Sequence, residues 1–194
     1  MLKTKRARWS AFAATAVVAS TASVAAFSSQ AGAAPSPLGA RASAVIGGTC
    51  TGQHQGAISS DQTVAGHKGT WSISRLTDGI VTPIDTSTGM VTGRNQEQGV
   101  KITMAASPAT IGLINAETTN ENLTTCTFTF YRPAATGALQ GYLQIKLTNA
   151  HVISYALNGT PASASTTYAF VAQRITRTWL IGNKTAVDDW NQPT

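Results

Sequence analysis

Residues 142–152 read YLQIKLTNAHV, and this stretch decides the fold class more clearly than any other part of the chain. Within it, the apolar residues Leu143, Ile145 and Leu147 alternate with polar ones. An alternation of period two places apolar side chains on one face of a β-strand and polar side chains on the other. The stretch therefore predicts a half-buried strand and not a helix.

The same alternation recurs along the rest of the chain. The mixture of Thr and aromatic residues at 126–130 is especially typical of strands. The stretches that alternate in this way are residues 71–75, 100–104, 126–130, 153–157 and 171–181. The sequence thus predicts many short strands distributed over most of its length.

One helix is expected among these strands. Ser107 is a good N-cap residue and Pro108 suits the first helical position. We expect the helix to end near Glu117 and to turn three apolar residues to the core, Ile111, Leu113 and Ile114. Many short strands and a single helix predict a mainly β fold, a two-sheet β-barrel or sandwich with one flanking α-helix.

The first 33 residues resemble a signal peptide. Basic residues within the first eight positions precede an uncharged stretch, which ends in the small residues Ala31-Gly32-Ala33 that a signal peptidase requires. We place cleavage after Ala33 and expect a secreted protein; an uncleaved membrane anchor is the alternative. Residues 34–47 are predicted to be a flexible lead-in, and residues 48–194 a single β-barrel domain.

The charge pattern argues against a nucleic-acid partner. The formal net charge is +6, from 14 Lys and Arg against 8 Asp and Glu. Removing the four basic residues of the leader leaves 10 against 8, or +2, with no basic cluster to bind phosphate. Because no later segment is long and apolar enough to span a bilayer, we also expect no membrane contact once the leader is cleaved.

Two cysteines, Cys50 and Cys126, lie in the mature part of the chain. An even number of cysteines in an exported chain favours a disulfide bond, because exported proteins fold in oxidising compartments. Two buried free thiols are the alternative. We predict the Cys50–Cys126 bond.

No catalytic, metal or cofactor site is predicted. His54, His67 and His151 lack the spacing of metal ligands, and the segment GHKGT at 66–70 lacks the spacing of a phosphate-binding loop. The Asp188-Asp189 pair is expected to be a solvated turn. An enzyme would need these histidines or this acidic pair to converge in one pocket, so we predict a protein that is not an enzyme.

Residues 77–98, with few apolar residues, are expected to form a long functional loop.

Several segments, in collinear order from about residue 48 to the C-terminus, resemble the haemolysin-coregulated protein family, the tube proteins of type VI secretion. The strand YLQIKLTNAHV is similar to the family's most recognisable strand. The other similar segments are DGIVTPID at 78–85, TG at 88–89, TGR at 92–94, VKIT at 100–103 with ASP at 106–108, LTTCTFTFYR at 123–132 and TAVDDW at 185–190.

This resemblance implies a barrel-like subunit that forms rings of six, which stack into a tube and carry effector proteins in the lumen. It also implies a loop that contacts a neighbouring subunit, with Asp78, Pro83, Asp85, Gly89, Gly93 and Arg94 as its residues. The leader and the predicted disulfide depart from the family, whose members assemble in the cytoplasm, as does Met104-Ala105-Ala106 where charges are common. We therefore expect a secreted, non-catalytic structural protein whose partner is itself. The alternative is an exported monomeric binding module of the cell envelope.

Overall fold

The computed structural model describes residues 43–61 and 63–191, so the predicted signal peptide lies outside the described residues. The described residues form one helix and ten strands. In chain order these are β1 (Val45–Gly52), β2 (Gly56–Ile58), β3 (Thr63–Val64), β4 (His67–Ile73), β5 (Arg75–Val81), β6 (Gln96–Ala105), α1 (Pro108–Thr118), β7 (Leu123–Pro133), β8 (Leu139–Thr160), β9 (Ser163–Trp179) and β10 (Lys184–Asp189). The prediction of a mainly β fold with one flanking helix is confirmed.

The strands belong to one strongly curled sheet with the order β3-β4-β1-β7-β8-β9-β6-β5. In addition, β2 pairs with β1 and β10 pairs with β9. β4 and β5 stand near opposite ends of this order, yet only Ser74 separates them in the chain. The Ser74 amide and hydroxyl both donate to the Thr103 carbonyl of β6, each at 2.8 Å. The sheet therefore curls until its two ends meet at Ser74, which gives a barrel-like layer without a closing ladder.

The core fills the space inside this curled sheet. Trp71 is fully buried, and its indole nitrogen donates to the Ile58 carbonyl at 2.9 Å, so its one polar atom is satisfied. Phe128 and Phe170 pack with ring centroids 5.8 Å apart. Other fully buried core side chains are Val100, Ile102, Met104, Leu113, Leu123, Leu147 and Tyr168. The alternating pattern of the sequence thus identifies the residues that hold the sheet together.

Helix α1 begins where the sequence predicts. The Ser107 amide donates to the Thr110 hydroxyl at 3.0 Å, and Pro108 is the first helical residue. The expectation that Ile111 faces the core is wrong, because its side chain is 69% exposed. Small residues, Ala109 and Ala116, occupy the buried face together with Leu113. Ile111 is two positions, or roughly 200°, from Leu113 around a helix of 3.6 residues per turn, so it points away from the sheet.

Three predicted boundaries also differ from the structure. β1 begins at Val45, inside the predicted lead-in at 34–47. The strand predicted at 71–75 ends at Ile73, because the chain turns at Ser74 to begin β5. Residues 77–98 are not one loop: their two ends belong to β5 and β6, which pair as antiparallel neighbours, and only residues 82–95 connect the strands.

The alternation at 153–157 continues a strand but does not mark a buried face. Ile153, Tyr155 and Leu157 are all exposed. The ladder between β8 and β9 shifts at Ile153, and from there to Thr160 every β8 residue is exposed, whereas Thr166 and Tyr168 of the paired part of β9 are buried. Val171 and Trp179, on the predicted apolar face of β9, are also partly exposed, whereas Ile175 is buried. Apolar residues on this hairpin are therefore available at the surface.

The Cys50–Cys126 disulfide is present and links β1 to β7. The two cysteines are directly opposite each other in the antiparallel register, and both are buried in the core. Within residues 43–61 and 63–191, no cysteine is free. The alternative of two free thiols therefore does not apply to the folded chain.

Within residues 43–61 and 63–191, no helix has the length and apolar character needed to cross a bilayer.

Replacing both cysteines, Cys50→Ala with Cys126→Ala, is expected to destabilise the protein by about 4 kcal/mol, because the bond closes a loop across 76 residues in the unfolded chain. Urea unfolding followed by circular dichroism measures this loss. A reductant should lower the stability of the wild-type protein by a similar amount and leave the double variant unchanged. Two reactive thiols in the denatured, unreduced wild-type protein would contradict the assignment.

Candidate assembly surface

The connection between β5 and β6, residues 82–95, is called here the extended loop. Its two sides are held together by the Ile84–Val91 bridge and by a hydrogen bond of 3.0 Å from the Thr92 amide to the Pro83 carbonyl. At the tip, the Asp85 amide donates to the Met90 carbonyl at 2.8 Å. The loop is therefore a narrow, internally bonded finger and not an irregular segment.

Asp85 and Gly89 shape the tip of the extended loop. The Asp85 carboxylate accepts from the Ser87 hydroxyl at 2.7 Å and from the Ser87 amide at 2.8 Å. These two hydrogen bonds lower the pKa of Asp85 below its ordinary value, and the bond from the hydroxyl has the larger effect. The Asp85 carboxylate therefore stays ionised. Gly89 has a φ of +70°, which favours glycine because other residues are strained there.

The extended loop displays apolar side chains that the sequence analysis did not single out. Met90 and Val91 are 68% and 65% exposed. The other exposed apolar residues of the loop and of the adjoining end of β5 are Ile80, Val81 and Ile84. Several exposed apolar side chains close together on one loop indicate a contact surface, since monomeric proteins rarely expose such patches. In the sequence they are separated by Thr, Ser and Gly without a regular period, so an alternating pattern does not reveal them.

At the base of the loop, Arg177 of β9 binds two carboxylates. Its Nε and Nη2 donate to the two oxygens of Asp78 at 2.6 and 2.8 Å, and Nη2 also donates to Glu97 at 3.0 Å. The side chains of Arg177, Asp78 and Glu97 are only 20%, 12% and 4% exposed. Because Asp78 lies on β5 and Glu97 on β6, this arrangement fixes both strands that carry the loop to the rest of the sheet.

The pKa of Glu97 is unusually high for a carboxyl group that is bound to an arginine. Burial, first, and the neighbouring Asp188 carboxyl together raise the pKa of Glu97 to about 7, against the opposing effect of Arg177. Hydrogen bonds to Asp78 conversely raise the pKa of Arg177, which stays charged. Glu97 is thus the group in this cluster that changes charge near neutral pH.

A cleft of about 450 Å³ lies between the loop base and the C-terminal strand β10. Asp188 of β10 accepts a hydrogen bond from the Asn95 side chain of the loop at 3.2 Å. Trp190, directly after β10, is 61% exposed. The residues that line the cleft are Pro83, Gly93, Arg94, Asn95, Gln96, Glu97, Asp188 and Trp190.

The six residues predicted to contact a neighbouring subunit all lie on the extended loop or at its base. Asp78 is in the ion-pair cluster, and Asp85 and Gly89 form the tip. Pro83, Gly93 and Arg94 line the cleft. The fold thus brings the six into one finger-like element, and the subunit contact itself stays a prediction. The Arg177 cluster was missed by sequence reasoning, because its members are 80 and 99 residues apart.

The groups that an enzyme would need occupy separate places. His67 stacks on the Tyr131 ring, with centroids 4.2 Å apart, and His54 lies beside Glu121 in another cleft. The expectation that Asp188 and Asp189 form a solvated turn is wrong, because both lie in strand β10; Asp189 pairs with Arg174, while Asp188 faces the loop. Among the described residues, no group of three or more potential ligands is arranged to hold a metal ion.

Replacing Arg177 with Ala is expected to destabilise the chain by about 3 kcal/mol, because Asp78 and Glu97 would be left buried without a cation. Arg174→Ala is the matched control. Arg174 is 48% exposed, and Asp189, although only 6% exposed, keeps a hydrogen bond from the Asn191 amide when Arg174 is removed, so a smaller loss is expected. Denaturant unfolding of both variants measures the difference, and equal losses would contradict the structural role of the buried cluster.

The fold and the sequence are similar to those of known proteins. A family described as "Type VI secretion system effector, Hcp" matches residues 49–179. A search among curated proteins finds no match. Among solved structures, the crystal structure of an Hcp protein is similar with a TM-score of 0.72 and 18% identity, over 78% of this chain and 100% of that chain.

Two further structures give the same result. A double mutant of Hcp1 from E. coli EAEC 042 pathovar is similar with a TM-score of 0.70 and 20% identity, covering 75% of this chain and 98% of that one. Secreted protein Hcp3 from Pseudomonas aeruginosa gives 0.64 and 21%, covering 77% and 100%. These likenesses show the shared fold, and the family match extends over well more than half of the sequence. The chain belongs to the Hcp family of type VI secretion proteins.

Proposed function

We propose that this protein is a secreted, non-catalytic structural subunit that assembles with copies of itself into rings of six. The observation that carries the proposal is the family match over residues 49–179, together with a finger-like loop that exposes apolar side chains. As the resemblance implies, such rings stack into a tube with room for protein cargo in the lumen.

The extended loop supports self-association in two ways. Its internal hydrogen bonds and the Arg177 cluster hold it in place before any partner binds, which lowers the entropy lost on association. Its exposed apolar residues gain free energy when a neighbour covers them. A loop that reaches from one subunit onto a different surface of the next is a heterologous contact, the type that closes into rings.

Export of the chain is supported by the disulfide. The Cys50–Cys126 bond persists in oxidising compartments and is rare in the cytosol. The predicted signal peptide at 1–33 agrees with this, as does the low content of charged residues, 11%. The proposal therefore places assembly outside the cytoplasm, in contrast to family members that assemble inside it.

The mass of the mature protein, residues 34–194, measured by light scattering after size exclusion without reductant, tests the proposal. A species of six subunit masses is expected. Replacing Met90 and Val91 together with Asp should shift the protein to smaller species, because charges would replace the exposed apolar tip.

Ile111→Asp is the matched control, since Ile111 is equally exposed and apolar but lies on helix α1. Its mass should equal that of the unmodified protein. A monomer at all concentrations would overturn the ring and leave the exported binding module as the better function; retention of that monomer on isolated cell walls would then support it.

A further inference from the structure

Four strands bring three carboxyl groups and one guanidinium together at the base of the extended loop. Asp78 comes from β5, Glu97 from β6, Arg177 from β9 and Asp188 from β10. Arg177 donates to Asp78 through Nε and Nη2, and Nη2 also donates to Glu97. The Glu97 side chain is only 4% exposed, so water screens this excess of negative charge poorly.

Glu97 and Asp188 both line the cleft, and a hydrogen bond between their carboxyl groups contributes to the raised pKa of Glu97. The loop has a second link to the same carboxylate, because Asn95 donates to Asp188 at 3.2 Å. Asp188 of β10 is therefore linked to the loop through Asn95 and to the adjoining start of β6 through Glu97, and only the hydrogen bond from Asn95 is available at every pH.

We infer that Glu97, on β6 at the base of the extended loop, is a pH-sensitive clamp that fastens this base to strand β10 when it is protonated and loosens the contact when it ionises. In the protonated state, one Glu97 oxygen accepts from Arg177 while the hydroxyl donates to Asp188. In the ionised state, two carboxylates oppose each other. β10 is the part free to yield, because it is an edge strand of six residues.

The direction of the pH dependence follows from the acidity of Glu97. In the folded chain the pKa of Glu97, about 7, lies above the ordinary value of 4.5. The stabilisation from protonated Glu97 is therefore fully present below pH 4.5 and is lost as the pH rises through 7. The clamp closes in acid and opens in mildly alkaline solution.

The other charged groups near Glu97 do not reverse this direction. From β5 it faces Asp78, which Arg177 holds, and from β9 it faces Arg177 itself. From β10 it faces Asp188, whereas Asp189 is engaged by Arg174. From the loop, Arg94 lines the same cleft. Arg177 and Arg94 remain charged throughout this pH range, so Glu97 is the group whose titration changes the contact.

The clamp is a property of the single subunit and does not require ring formation. Amide hydrogen exchange of the purified exported protein, read by mass spectrometry at a pH of about 5.5 and about 8.5 and corrected for the intrinsic rate, measures it directly. Amides of residues 82–95 and 184–189 are expected to exchange at least tenfold faster at the higher pH, since the pKa of Glu97 rises from 4.5 to about 7 and each unit of pKa shift corresponds to about a tenfold change in an equilibrium. Light scattering at both pH values separates this change from any change in assembly.

Glu97→Gln should remove the pH dependence, because its amide donates to Asp188 at every pH while its carbonyl accepts from Arg177. Exchange should then stay slow at both pH values. Asp188→Asn should move the transition to lower pH, because ionised Glu97 would meet an amide donor instead of a carboxylate. Glu117→Gln on helix α1 is the control and should behave as the unmodified protein. Equal exchange at both pH values in the unmodified protein, or an unchanged pH dependence in Glu97→Gln, would overturn the inference.

Discussion

The fold around the extended loop depends on one partly buried guanidinium. Arg177 lets two carboxylates lie largely shielded from water at the base of the loop, where an unpaired charge would be costly. Asp78 and Glu97 are on the two strands that carry the loop, and both are joined to β9 through Arg177. A polar stretch that would otherwise fray in water is thereby held as paired strands, and the loop projects from a rigid base.

The β8–β9 hairpin is the second organising element. β8 pairs with β7 along its first half, and β9 pairs with β6 along its first half and with β10 along its second. This arrangement spreads strands along both sides of one long hairpin, and the sheet curls until Ser74 meets β6. The apolar core lies inside that curl, while the last part of β8, from Ile153 to Thr160, is exposed.

Local signals in the sequence predicted the elements well, and long-range pairing explains what they missed. Pro108 after Ser107 identified the start of the helix, since capping chemistry acts within one turn. The core face of that helix was misjudged at Ile111, because small residues, Ala109 and Ala116, share the buried face with Leu113 and carry no apolar signal that excludes Ile111. The true length of the loop escaped prediction, because Arg177, some 80 to 99 residues away, turns polar residues into strand. No periodicity encodes that contact.

The disulfide between neighbouring strands β1 and β7 has a topological consequence for how the protein travels. Once the bond forms, the residues between Cys50 and Cys126 are a closed covalent ring, and the chain's extended length falls by about 250 Å. Such a chain no longer passes through a narrow pore as a single thread, because the ring must enter as two strands side by side. Any passage through a pore in an unfolded form would therefore have to precede oxidation.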